Sequence, residues 1–293
     1  MSGSAVTLAE AALAAARLMS SPRILPGICS VTFRRLSIEE IAHAAAEAGL
    51  AAIEWGADVH VPPGDTAATS RAISACERHG LTITSYGSYL QPSAVNSEIA
   101  AALDTAAQLG ATTVRVWTPL GELPDCNPTV WAAQRDGLVR IAEAARERSL
   151  QVGLEFHGWT LTHTAASANR LLDDVGAENL HSYWQPTYWE ADMLDDAEAQ
   201  LAELTAVSPR LAHLHVYWWR GRDRFPLADG AHVWPRALAH AAATPWPHGP
   251  RAALLEFVPD DDPELLQREA AQLIEWLTAA TSSPHIATRG VPQ

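Results

Sequence analysis

Short runs of β-branched and apolar residues alternate along the chain with longer Ala-rich stretches of helical period, and this alternation predicts strands and helices in turn. The strand-like runs fall around 27–32, 51–55, 81–86, 112–117, 150–157, 181–187, 211–217 and 252–257. Helices are predicted at about 37–49, 66–79, 94–109, 128–148, 164–175, 192–207, 231–242 and 263–279. The first helix is punctuated at both ends, with Ser37 as cap, Glu40 three residues on and Gly49 closing it. Strands that alternate with helices imply parallel pairing through helical crossovers. Eight of each favour a single α/β domain, a (β/α)8 TIM barrel, over an open sheet. The first strand continues as GICSVTFRR instead of G-x-G-x-x-G, which disfavours a dinucleotide-binding Rossmann domain. Residues 1–22 read as an N-terminal helical extension, 23–281 as the barrel and 282–293 as a C-terminal tail.

In a barrel of this kind the C-terminal strand ends converge on one mouth, so residues far apart in sequence share a site. Four runs carry a polar residue near that end: LQVGLEFH (150–157), HSYWQPTY (181–188), LAHLHVYW (211–218) and AALLEFVP (252–259). The residues are Glu155, Gln185, His215 and Glu256. Two carboxylates, an amide oxygen and an imidazole form a ligand set for one divalent metal ion: Mn²⁺ first, with Mg²⁺, Co²⁺ or Zn²⁺ as the other candidates. A cation also explains how two carboxylates share a mouth without one being forced to protonate.

Other residues gather around this set. His157 lies two positions after Glu155, on the same strand face, where it can bind a substrate hydroxyl, relay a proton or bond to a loop. Glu54 and Arg115 interrupt apolar runs and read as a buried ion pair beneath the metal. Tyr86, Trp117, Trp184, Tyr188, Trp218 and Trp219 lie near strand ends, where flat faces pack against the C–H face of a sugar; Tyr86 and Trp117 are preferred. Arg220, Arg222 and Arg224 follow the seventh strand, either as a clamp for a phosphate or carboxylate, with Arg220 the candidate, or as solvated loop charge.

Composition narrows the partners. The formal charge is −14, from 34 acidic and 20 basic residues, which repels nucleic acid. Three cysteines without a C-x-x-C motif argue against a disulfide framework and against cysteine-based zinc binding. The Ala-rich start carries Glu10 and no basic leader, and no run approaches the roughly 18 apolar residues of a membrane span. A soluble cytoplasmic protein acting on a small molecule, with no nucleic-acid and no membrane partner, is therefore expected.

The motifs EWGADVHVPPGD (54–65), SYGSYL (85–90), LEFHGWTLTHT (154–164), YWQP (183–186), HLHVYW (213–218) and LEFV (255–258) resemble the xylose-isomerase-like TIM-barrel superfamily, the sugar phosphate isomerase/epimerase group. The likeness runs over nearly the whole barrel. It implies a divalent metal held by Glu, Asp, His and Glu from strands five to eight, which maps onto Glu155, His215 and Glu256, with Gln185 where Asp is usual. Tyr188 stands where ketose 3-epimerases of the group carry His. The resemblance adds His60 as a substrate contact, set against a loop-stapling role, and allows a homo-oligomer. It implies a divalent-metal-dependent isomerase or epimerase of a sugar, sugar phosphate or inositol-like polyol, with Glu155 and Glu256 as the catalytic pair acting as base and acid on either face of the substrate. The alternatives are a lyase or dehydratase on the same scaffold, including elimination from a 3-keto-glycoside, and a non-catalytic polyol-binding barrel without its metal. The apurinic endonucleases of the same superfamily are disfavoured by the acidic charge and by Tyr188.

Overall fold

In the computed structural model, which describes residues 24–282, the apolar runs pair edge to edge as parallel strands and close on themselves. The staves are β1 (Ile24–Cys29), β2 (Ala52–Gly56), β3 (Thr82–Gly87), β4 (Thr113–Val116), β5 (Gln151–Leu154), β6 (Leu180–Trp184), β7 (Leu211–Val216) and β10 (Arg251–Leu255). β1 pairs with both β10 and β2, through Gly27↔Leu254 and Ile28↔Ile53, and this double pairing seals the barrel. A two-stranded ribbon, β8 (Trp219–Arg220) and β9 (Asp223–Arg224), stands outside it after β7. The helices are α1 (Ile38–Glu47), α2 (Thr66–His79), α3 (Asn96–Gln108), α4 (Pro128–Arg146), α5 (Ala165–Val175), α6 (Ala191–Leu194), α7 (Ala197–Val207), α8 (Trp234–Ala243) and α9 (Leu266–Ser282). The predicted extension at 1–22 and the tail beyond Ser282 lie outside the described residues. Among the described residues no helix is long and apolar enough to cross a membrane.

Local chemistry sets most boundaries. Ser37 accepts a hydrogen bond from the Glu40 amide while the Glu40 carboxylate accepts from the Ser37 amide, the expected capping box. The predicted helix at 192–207 is two helices, because the Asp196 carboxylate caps the amides of Glu198 and Ala199 and restarts the chain there. The first strand begins three residues earlier than its apolar run suggests. Residues Ser30–Phe33 leave the sheet as a 3-10 turn, and Ile24–Cys29 pairs in their place.

Alternation sends one parity of each stave inward. The inward residues include Gln151, Gly153 and Glu155 on and after β5, His181, Tyr183 and Gln185 on and after β6, and His213 and His215 on β7. They stack in layers across the barrel: His181 Nε2 lies 2.9 Å from Gln151 Oε1, and His213 Nε2 lies 3.1 Å from Thr113 Oγ1. Two glycines make this interior possible. A Cβ on Gly153 would sit 2.3 Å from the Tyr183 ring, and one on Gly87 would sit 2.6 Å from a Glu54 carboxylate oxygen. The outward parity packs beneath the helices; Trp184 belongs there, edge-on to Trp234 at 5.8 Å.

Candidate active site

Each of the last four barrel strands delivers one polar residue to the mouth, and the four meet. The Nδ1 atom of His215 lies 3.1 Å from Glu155 Oε1, 3.2 Å from Gln185 Oε1 and 3.3 Å from Glu256 Oε2. His215, Glu155 and Gln185 are buried, while the Glu256 side chain keeps 12% of its exposure toward the mouth. Cys29, on the neighbouring strand, adds a sulfur that shares a 4.8 Å cluster with donor atoms of His215 and Glu256.

Beneath this ring lies a hydrogen-bonded floor. Arg115 donates through Nε to Glu54 at 2.9 Å and through Nη1 to Glu155 at 2.8 Å, so one guanidinium serves two buried carboxylates. The same Glu54 accepts from Ser85 Oγ at 2.7 Å and from Tyr183 Oη at 2.9 Å. The expected Glu54–Arg115 pair is thus present, and it extends one step further, to Glu155.

These neighbours push ionisation in opposite directions. Burial opposes the charge on Glu155, but His215 and Arg115 outweigh it and bring its pKa down to about 2. Burial raises that of Glu256, and Glu155 adds to the rise while His215 opposes it. Burial also disfavours an imidazolium at His215, yet Glu155 and Glu256 hold its pKa well above the usual histidine range.

A wall of rings stands above the carboxylates. Trp117 lies 5.0 Å from the His157 ring, His157 6.1 Å from Tyr188, Tyr188 5.2 Å from Trp219, and Trp219 5.4 Å from Phe257. His157 Nδ1 faces the Gly158 carbonyl at 2.8 Å and its Nε2 lies 3.3 Å from the Tyr188 hydroxyl. Trp117, His157 and Tyr188 therefore share one surface beside the four polar residues.

Three expected substrate contacts are placed elsewhere. Tyr86 is fully buried and donates to the Val61 carbonyl at 2.7 Å; its neighbours Ser85 and Gly87 take the inward parity, so its ring packs beneath the helices. His60 is a loop staple, with Nδ1 3.0 Å from Ser30 Oγ and Nε2 3.1 Å from the Leu36 carbonyl. Arg220 forms an exposed two-pronged pair with Asp195, both distances 2.7 Å, which occupies its fork. Sequence reasoning passed over Cys29, Ser85 and Tyr183. The period-two alternation that pairs Tyr183 with Gln185 was the available signal for the last.

The four-residue ring fits a divalent cation. Ligands bonded at about 2.0–2.2 Å and set at right angles stand roughly 3 Å apart, close to the spacing of each oxygen from Nδ1 here. Three oxygens crowd one nitrogen, and one imidazole N–H cannot satisfy all three at once.

No curated protein matches the sequence. Among solved structures, the probable 3-DHS dehydratase AsbF of Bacillus anthracis superposes with a TM-score of 0.69 at 18% identity, covering 86% of this chain and 98% of that one. A xylose isomerase-like TIM barrel protein of Mycobacterium smegmatis in complex with magnesium gives 0.64 at 15% identity, covering 90% and 99%. The 3-keto-D-glucoside 4-epimerase YcjR of E. coli gives 0.60 at 15% identity, covering 88% and 100%. The family model for the xylose isomerase-like TIM barrel matches residues 42–279, most of the chain, and the chain belongs to that family.

Proposed function

We propose that the protein is a sugar or polyol isomerase or epimerase that transfers a proton at the carbon beside a carbonyl, with Glu155 and Glu256 as the acid–base pair. The observation that carries this reading is the convergence of Glu155, Gln185 and Glu256 on His215 Nδ1 within 3.3 Å, at the foot of an aromatic mouth. In this proposal Glu155, Gln185, His215 and Glu256 hold one divalent cation, which when bound polarises the substrate carbonyl and its neighbouring hydroxyl. Glu155, kept ionised by the Arg115 guanidinium 2.8 Å away, is the base; Glu256, the one carboxyl of the pair that keeps exposure toward the mouth, returns the proton on the other side. Arg115 fixes one oxygen of Glu155 and leaves the other facing the mouth. Trp117, His157, Tyr188 and Trp219 orient the sugar ring and keep bulk water from the carbanionic charge. The chain contains no lysine, so imine formation with the carbonyl is excluded.

A second reading is elimination on the same site. Tyr188 carries a hydroxyl on the wall, and burial pushes its pKa up to about 12, so it retains its proton for a departing oxygen. Solved structures of like fold include both a 3-keto-D-glucoside 4-epimerase and a probable 3-DHS dehydratase. Incubation of ketoses, inososes and oxidised glycosides in heavy water, followed by NMR, tests both. Deuterium beside the carbonyl without a new double bond is the expected result; a new double bond selects elimination. Full exchange in both Glu155→Gln and Glu256→Gln overturns the assignment.

A further inference from the structure

Resting on the proton-transfer reading above, we propose that the mouth continues into a second subsite, formed by Tyr89, Leu120, Leu123 and Trp159, that binds a ring attached to the sugar: the substrate is a glycoside. Among the described residues the exposed large apolar side chains are Tyr89 (43%), Val95 (57%), Leu120 (64%), Leu123 (40%) and Trp159 (49%). All five stand on the loops that follow β3, β4 and β5, three neighbouring staves of the barrel, with Val95 at the far end of its loop as the N-cap of α3. Exposed apolar side chains gathered on one sector mark a binding surface.

The sector is continuous with the aromatic mouth. Tyr89 stacks on Trp117 with ring centres 6.2 Å apart and planes 16° from parallel. Trp159 lies 6.2 Å from the His157 ring and 6.3 Å from that of Tyr188. The Gly121 amide, one residue after Leu120 and two before Leu123, donates to the Trp159 carbonyl at 2.8 Å and ties the two loops together.

Trp159 is held there against its backbone preference. Its φ of 59° lies in the left-handed region, which is unfavourable for a bulky side chain. The surrounding loop fixes it: the Trp159 amide donates to His163 Nδ1 at 2.9 Å, and His163 Nε2 lies 2.8 Å from the Glu190 carboxylate. Folding gains little from a half-exposed indole on a strained backbone, whereas a ring stacked on it gains a flat, fixed face. The sector's charge suits a neutral group. Arg34 is engaged by Asp58 and the Tyr89 hydroxyl, and Glu122 and Asp125 flank Leu123.

Isothermal titration with phenyl and methyl β-D-glucopyranoside, β-D-galactopyranoside and β-D-xylopyranoside tests the subsite. At least one phenyl glycoside binds about tenfold more tightly than its methyl partner, and the gap narrows to about threefold or less in Trp159→Gly. Glycine suits the left-handed backbone, so the variant folds. Equal binding within all three pairs, or an unchanged preference in Trp159→Gly, overturns the proposal. So does loss of a wild-type dimer on sedimentation of Trp159→Gly without any phenyl preference, which marks the sector as an interface between copies. Glu155→Gln keeps the phenyl preference while losing proton exchange, so a wild type that prefers phenyl glycosides but exchanges no proton sinks the proton-transfer reading alone.

Discussion

His213 and His215 are two residues apart on β7, face the same interior and are both fully buried, yet the barrel treats them in opposite ways. His213 sits in a closed layer: its Nδ1 accepts from the Ala252 amide at 3.0 Å and its Nε2 meets Thr113, and burial brings its pKa down to about 3. His215, one layer nearer the mouth, faces the carboxylates of Glu155 and Glu256, which hold its pKa high, and its Nε2 has no hydrogen-bond partner. The two buried arginines repeat the contrast. Arg251 donates to the carbonyls of Leu211, Ala212, Ala241 and Thr244 without a carboxylate, and burial lowers its pKa to about 10. Arg115 lies between Glu54 and Glu155, whose charges raise its pKa. Where backbone groups complete the hydrogen bonding, burial suppresses charge; where carboxylates are gathered, the same interior sustains it. A folded chain gains nothing from gathering carboxylates for stability alone, so the upper layer is the one shaped by function.

The sharpest way to break this comparison is to remove charge from the upper layer. Glu155→Gln or Glu256→Gln lowers proton exchange by about 10²–10⁴-fold with the fold retained, read by NMR and circular dichroism. Arg115→Met leaves Glu54 and Glu155 buried without their cation and lowers unfolding stability by about 3–5 kcal/mol in urea titration. The histidines separate next. His213→Ala costs about 1–3 kcal/mol, because the Ala252 amide and Thr113 hydroxyl lose a buried partner, while metal content stays stoichiometric; His215→Ala abolishes metal content by elemental analysis.

Acid provides a gentler probe of the lower layer. His213 and His181, the latter lowered by burial to about 4, stay neutral in the folded protein while the unfolded chain takes up their protons from about pH 6.5 downward. The unfolded state then binds more protons, so stability is present above that pH and is lost as pH falls toward 4. The loss amounts to at most about 1.4 kcal/mol per pH unit for each group, and His213→Asn flattens the decline of Tm between pH 7 and pH 4.5. The smallest effect belongs to Arg220→Ala, which breaks an exposed pair with Asp195 and leaves Tm and exchange unchanged.

The barrel and the meeting of its four polar residues were legible for one reason: both follow from strand-scale patterns. Apolar runs bounded by capped helices mark the staves, and Glu155, Gln185, His215 and Glu256 each end such a run. What failed was parity. Tyr86 looked like a mouth residue because it is aromatic and near a strand end, but the register of β3 against β2 shifts between Ile53 and Glu54, and Ser85 and Gly87 face inward. His60 stands on a loop and Arg220 on a two-residue ribbon outside the barrel, where no barrel period fixes direction, and each had a polar neighbour within reach.

The sequence by itself determined the order of strands and helices, the family pattern and the polar residues carried to the strand ends, because hydrophobic period and capping act over a few residues. Only the tertiary structure decided that Arg115 bridges Glu54 and Glu155, that burial lowers the pKa of His213 while neighbouring carboxylates raise that of His215, and that the Trp159 ring stands beside those of His157 and Tyr188. Those facts depend on distances of about 3 to 6 Å between segments tens of residues apart, which exist only once the barrel closes.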